Sequence, residues 1–147
     1  MEATTTVRQL LQSKGAQVWS VAPDESVFEA LELMAEKNVG ALMVVEGGAL
    51  VGMFSERDYA RKVILHGRAS RDTAVREVMS ERVVTVSPEK TVADCMVLMT
   101  ENRIRHLPVV EGDRTVGLVS IGDVVKAIIS EQSFVIDQLQ NYIQGAT

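Results

Sequence analysis

The chain repeats itself, and that restricts its fold more than any other feature. Displaced by 65 positions, Val21-Ala22-Pro23-Asp24 falls on Val86-Ser87-Pro88-Glu89, and Leu42 with Val44-Val45-Glu46-Gly47 falls on Leu107 with Val109-Val110-Glu111-Gly112. The register continues without a gap through Gly52-Met53-Phe54-Ser55-Glu56-Arg57-Asp58 over Gly117-Leu118-Val119-Ser120-Ile121-Gly122-Asp123, and more than a third of the positions paired from Val21 to Asp58 are identical. The lead-ins Val7-Arg8-Gln9-Leu10 and Val75-Arg76-Glu77-Val78 match at an offset of 68, so the first copy carries about three extra residues around Ser13-Lys14-Gly15. A duplication of this kind calls for two like supersecondary units that bury their apolar faces by packing together.

Each copy reads in the same order. A short alternating strand, Val18 to Val21 or Val83 to Val86, runs into a Pro turn and then into Ser26-x-x-Glu29 or Thr91-x-x-Asp94. The first has the form of a capping box and the second of its weaker Asp variant. Val27, Ala30, Leu31 and Met34, like Val92, Cys95, Met96 and Met99, recur at i, i+3, i+4 and i+7, so each helix buries one stripe and Cys95 reads as core. The apolar runs Ala41 to Val45 and Leu107 to Val110 suit buried strands. Gly47-Gly48 and Gly112-Asp113 supply turns, and Leu50 to Phe54 and Thr115 to Val119 return as second strands. A helix follows each, from Glu56 to Leu65 and from Ile121 onward. The expected organisation is therefore repeat 1 over 7–65, a linker over 66–74, repeat 2 over 75–130 and an amphipathic helix over 131–147. In that last helix Val135, Ile136, Leu139, Tyr142 and Ile143 share a broad face that caps the pair or meets a partner chain.

Composition removes several function classes. Fifteen Lys and Arg against 20 Asp and Glu give a net charge of −5, which offers no global attraction for a polyanion. Arg61, Lys62, Arg68, Arg71 and Arg76 are interspersed with Glu56, Asp58, Asp72 and Glu77 and read as a solvated face, so nucleic acid is not an expected partner. No run approaches the ~20 apolar residues of a membrane span. One cysteine allows no internal disulfide, and Met1 to Leu11 lacks the pattern of a secretory leader, so the expected compartment is the cytoplasm. His66 and His106 are the only two histidines, and there is no phosphate-binding Gly-x-x-x-x-Gly-Lys-Ser loop, metal-spaced Cys/His set or nucleophile with an evident base. An enzyme is not expected.

The duplicated order of strand, helix, strand, strand, helix, with Gly-h-h-Ser-x-x-Asp (h apolar) leading into the last helix of each copy, resembles the cystathionine-β-synthase (CBS) domain. Two in tandem form a Bateman module, and the resemblance covers about Val7 to Ser130. It implies an α/β (α+β) fold of two repeats, each a small three-stranded sheet with helices, packed about a pseudo-twofold axis. It also implies two clefts that in many members take AMP, ADP, ATP, NAD or S-adenosylmethionine. The residues suit such ligands. Asp58 and Asp123, one turn into a helix, offer two carboxylate oxygens to the vicinal hydroxyls of a ribose, and Ser55 and Ser120 stand at helix starts where free amides attract an anion.

The copies differ where the first has Asn38-Val39-Gly40-Ala41 and the second Arg103-Ile104-Arg105-His106. By the family pattern one cleft holds Arg105, His106, Ser120 and Asp123, with the base against Val18, Trp19, Ser20 and Val39 and Leu118 on its other face. It is expected to take AMP. The second cleft holds Met53, Ser55, Arg57 and Asp58, with Gly40 and Ala41 in place of the basic pair and Val83, Val84, Thr85 and Ile104 around the base. It is expected to take NAD or ATP. The reading is a regulatory adenosine-ligand sensor that forms a homodimer, with Met34, Met99 and neighbouring helix residues not divided by sequence between core and interface. The alternative is an adaptor with empty clefts that acts through its C-terminal helix.

Overall fold

The computed structural model describes residues 5–15 and 17–145; the last two residues of the expected C-terminal segment lie outside them. In chain order the elements are α1 (Val7–Lys14), β1 (Ser20–Val21), α2 (Val27–Lys37), β2 (Ala41–Glu46), β3 (Ala49–Ser55) and α3 (Glu56–Tyr59), which runs on as a π-helical turn, Ala60–Ile64. A 3-10 turn (Ser70–Asp72) then leads to α4 (Val75–Val78), α5 (Val92–Asn102), β4 (His106–Glu111), β5 (Arg114–Ser120) and α6 (Ile121–Gly145). The mixed α/β class and the duplicated element order match the expectation. Two compact units result. One is Gln17–Val84 with Gly112–Val116; the other gathers Thr85–Glu111 and residues 117–145 with residues 5–15.

In the unit around Gln17–Val84, β2 is the central strand, parallel to β1 and antiparallel to β3. Leu42, Val44 and Phe54 from the sheet meet Val27, Ala30 and Met34 from α2, with Val63, Val75 and Val78 closing the core. The capped helix is tied to the segment ahead of α4: the Val27 amide donates to the Thr73 carbonyl at 2.8 Å and the Val75 amide to the Glu25 carbonyl at 2.8 Å. Arg76 then bonds Asp24 at 2.6 Å and Glu46 at 3.3 Å.

The other unit repeats this arrangement with different chain. Val92 donates to the Thr5 carbonyl at 2.8 Å, Val7 to the Lys90 carbonyl at 2.7 Å, and Arg8 pairs with Glu89 at 2.7 Å and with Glu111. The lead-in to each sequence copy therefore packs in the compact unit built from the other copy's strands. Val7, Leu10 and Leu11 are buried there, as are Val92, Cys95, Met99, Leu107, Val109, Val119 and Val124. The Cys95 thiol is pushed up to about 11 by burial and by the nearby Asp94 charge.

Four local expectations change. The strand expected over Val18 to Val21 is only Ser20–Val21, and that over Val83 to Val86 is reduced to one parallel bridge, Val86 to Val109, so the second sheet has two named strands. For the second of these the physical reason is Pro108. It stands where Met43 does, and while the Met43 amide donates to the Trp19 carbonyl at 3.2 Å, Pro108 has no N–H to extend its ladder. The cap strengths are inverted: Thr91 and Asp94 close the box in both directions at 3.0 and 3.1 Å, whereas at Ser26 it is the forward bond from the Glu29 amide, 3.1 Å, that caps the helix. Helices α2 and α5 end on left-handed residues, Asn38 and Arg103, both at φ 54°. Asn is at ease there; Arg carries a penalty of about 1 kcal/mol. Finally, the expected C-terminal helix is not separate: α6 continues unbroken from Ile121 to Gly145.

Candidate functional site

Each unit contains a hydroxyl–carboxylate cap at the strand-to-helix corner. Ser55 ends β3 and caps α3. Its hydroxyl accepts from the Asp58 amide at 3.2 Å, and the Ser55 amide and hydroxyl donate to Asp58 Oδ2 at 2.9 and 3.0 Å. Asp58 Oδ1 accepts from the Ser80 hydroxyl at 3.1 Å and faces Lys62 Nζ at 3.3 Å. Lys62 also donates to the Val78 carbonyl at 3.1 Å. Asp58 is 9% exposed, so this carboxylate is an enclosed structural node whose two oxygens are both engaged.

Asp123 has the same cap but different company. The Asp123 amide donates to Ser120 Oγ at 3.1 Å, and the Ser120 amide to Asp123 Oδ2 at 2.9 Å. Lys14 Nζ from α1 reaches the same Oδ2 at 2.5 Å and the Leu118 carbonyl at 2.9 Å. Burial pushes this carboxyl up, but Lys14 and the Ser120 amide outweigh it and hold it below its ordinary value. The Asp123 side chain is about twice as open as that of Asp58, 23% against 12%.

The helix starts offer an anion less than the sequence suggests. The Glu56 amide donates to the Gly40 carbonyl at 3.1 Å and the Ile121 amide to the Arg105 carbonyl at 2.8 Å. With the Ser and Asp amides also bonded, three first-turn amides at each corner are satisfied within the chain. The same bonds place Gly40 and Arg105, at the strand starts, directly beside the corners.

The expected site residues divide between the units. Arg105, His106, Leu118, Ser120 and Asp123 share one, with Arg105 exposed and His106 half-buried at the start of β4; Thr85 and Ile104 belong to it too. Val18, Trp19, Ser20, Val39, Gly40, Ala41, Met53, Ser55, Arg57, Asp58, Val83 and Val84 belong to the other. Trp19 is half-buried against that core, and Lys37 Nζ lies 4.4 Å from its ring centroid, a cation–π contact over the face expected to stack on a base. Val39 and Gly40 line an open groove of about 500 Å3 with Met34, Asn38, Glu56 and Tyr59. In the other unit a groove of about 600 Å3 runs between α1 and α6, lined by Gln9, Ser13, Lys14, Asp123, Lys126 and Glu131 among others. Lys14, Lys62 and Ser80 were not among the expected site residues. Lys62 was visible as the i+4 partner of Asp58; Lys14 and Ser80 come from distant chain.

Among the described residues no cluster of three or more His, Cys, Asp or Glu is arranged to hold a metal ion, and no helix is long and apolar enough to cross a membrane. Comparison with protein families matches the CBS domain at residues 6–65 and 75–130. The chain is 43% identical to the CBS domain-containing protein CBSX3, mitochondrial, of Arabidopsis thaliana, over 97% of this chain and 73% of that one. It is 40% identical to the CBS domain-containing protein YhcV of Bacillus subtilis, over 80% of this chain and 83% of that one. Among solved structures, the CBS-domain containing protein ATU1752 from Agrobacterium tumefaciens superposes with a TM-score of 0.80 at 40% identity, covering 84% of this chain and 98% of that one.

Proposed function

Because this chain belongs to the CBS-domain family, we propose that it is a non-catalytic regulatory module that binds adenosine compounds and reports energy or redox state. In this reading AMP binds at the Asp123 corner, and NAD or ATP at the Asp58 corner. The observation that carries it is the more open carboxylate of Asp123, whose Oδ2 is held by the Lys14 ammonium and the Ser120 amide, where Asp58 is enclosed by Ser55, Ser80 and Lys62. An incoming ribose can replace that ammonium with its own hydroxyl donors, and at the adjoining strand start Arg105 supplies positive charge, and His106 a ring N–H donor, for a phosphate. The Asp58 corner, more enclosed and without the basic pair, suits a longer or less locally charged ligand. A ligand that prefers one arrangement of the protein shifts its population, which is how binding becomes a signal.

The exposed apolar side chains of α6, including Phe134, Ile136, Leu139, Tyr142 and Ile143, favour a second reading, an adaptor that acts through this helix. Calorimetric titration of nucleotide-stripped protein with AMP, ATP, NAD and 2′-deoxy-AMP, on the native chain, Asp123→Ala and Asp58→Asn, separates the two. AMP binding that weakens with the deoxy analogue and with Asp123→Ala supports the sensor. Absence of heat with every compound sinks it and leaves the adaptor.

A further inference from the structure

Beyond the domain pair, α6 carries a second periodicity. Val125, Ile129, Gln132, Ile136, Leu139 and Ile143 are spaced 4, 3, 4, 3 and 4 residues apart, a coiled-coil seam with Ile at every a position and Val, Gln and Leu at d. Every one of these residues is exposed, the five apolar ones between 43% and 69%. A helix that served only to cover its own domain would turn this stripe inward; here it faces outward along about 27 Å of helix.

We propose that the seam is closed by α6 of a second copy of this chain, as a parallel, in-register, two-stranded coiled coil. Three observations select this occupant. Ile at a, as at 129, 136 and 143, with Leu at d, as at 139, is the combination that favours two-stranded parallel pairs. In a parallel pair Gln132 meets Gln132 of the other copy and the two amides hydrogen-bond, whereas an antiparallel pair sets each against an Ile and strands it. The seam is also free of charge: Glu131 and Asp137 lie off it, and Lys126 flanks only its N-terminal end, so two identical helices meet without opposed like charges. With Tyr142 beside the stripe, pairing removes on the order of 1,000 Å2 from water, which meets the lower limit of about 1,000 Å2 for a specific interface. The proposal does not depend on the nucleotide reading.

Sedimentation equilibrium of the full chain at micromolar concentration tests it, alongside Ile136→Glu, with circular dichroism to establish that the variant keeps its fold. Because Ile136 is outside the core, the expected result is a native dimer and a folded Ile136→Glu monomer. The register is read by Gln132→Cys, which should oxidise to a covalent dimer, while Phe134→Cys, off the seam, should not; Cys95 is buried and does not interfere. A native monomer, a dimer that survives Ile136→Glu, or equal cross-linking at 132 and 134 would each overturn the proposal.

Discussion

Lys14 Nζ meets Asp123 Oδ2 at 2.5 Å across 109 residues of sequence, and so joins the first helix of the chain to the start of its last. The pair places an internal cation on the carboxylate proposed to read a ribose. If a ligand must displace it, Lys14→Met should tighten AMP binding by up to about fivefold, the scale of a partly exposed ion pair. Calorimetry on the two proteins decides this; unchanged or weaker binding would mean that Lys14 does not compete with the ligand.

The same pair makes a prediction about acid. The Asp123 carboxyl is lowered from an ordinary value of 3.8. Its stabilisation is therefore fully present above that value and is lost as pH falls through the lower folded one. Urea unfolding from pH 6 down to about pH 3 should show a shallower loss of stability in Asp123→Asn than in the native chain. Parallel curves would show that the Lys14 contact has no energetic weight.

Asp58 and Asp123 should respond differently to deletion. Asp58 is enclosed and engaged by Ser55, Ser80 and Lys62, so Asp58→Ala should cost about 1–3 kcal/mol by leaving those donors without their acceptor. Asp123→Ala, at a more open pair, should cost under about 1 kcal/mol. Denaturant midpoints compare the two, and the reverse order would contradict the enclosure described for Asp58.

Two glycines at matching positions touch the exchanged lead-ins. A Cβ on Gly52 would lie 2.7 Å from Met79 Sδ and 3.0 Å from the Ser80 carbonyl; one on Gly117 would lie 2.7 Å from Leu11 Cδ2. Overpacking of this kind costs about 1–3 kcal/mol. Gly52→Ala should fall at the high end because a backbone oxygen cannot rotate aside, and Gly117→Ala at the low end because a leucine tip can. Thermal melts that rank them oppositely would count against these contacts.

Cys95 should be silent to thiol reagents at pH 8 in the folded protein and react at once in denaturant, since burial holds its thiol near 11. Its neutral form is favoured by folding, so its contribution is complete below the ordinary 9.0 and is lost as pH rises through about 11. Fast labelling of the native chain would remove Cys95 from the core.

Much of this molecule was legible in its sequence because the relevant interactions are local. The helical stripes of α2 and α5, the hairpins after Glu46 and Glu111, and the Ser55–Asp58 and Ser120–Asp123 caps all depend on spacings of a few residues. The loss of a strand at Val86 was also written there, in the proline at position 108. The repeat settled the fold class for the same reason: one pattern of local preferences, used twice, has few ways to bury itself.

What only the tertiary structure decided are the partners supplied by distant chain. Arg8 was visible as the match of Arg76, but the exchange of lead-ins, which sets Arg8 on Glu89 and Glu111 and Arg76 on Asp24 and Glu46, was not. Lys14 on Asp123 and Ser80 on Asp58 follow from that exchange. A cap three residues long fixes where a carboxylate sits. Which cation or hydroxyl reaches it depends on the packing of helices scores of residues apart, and local spacing carries no record of that packing.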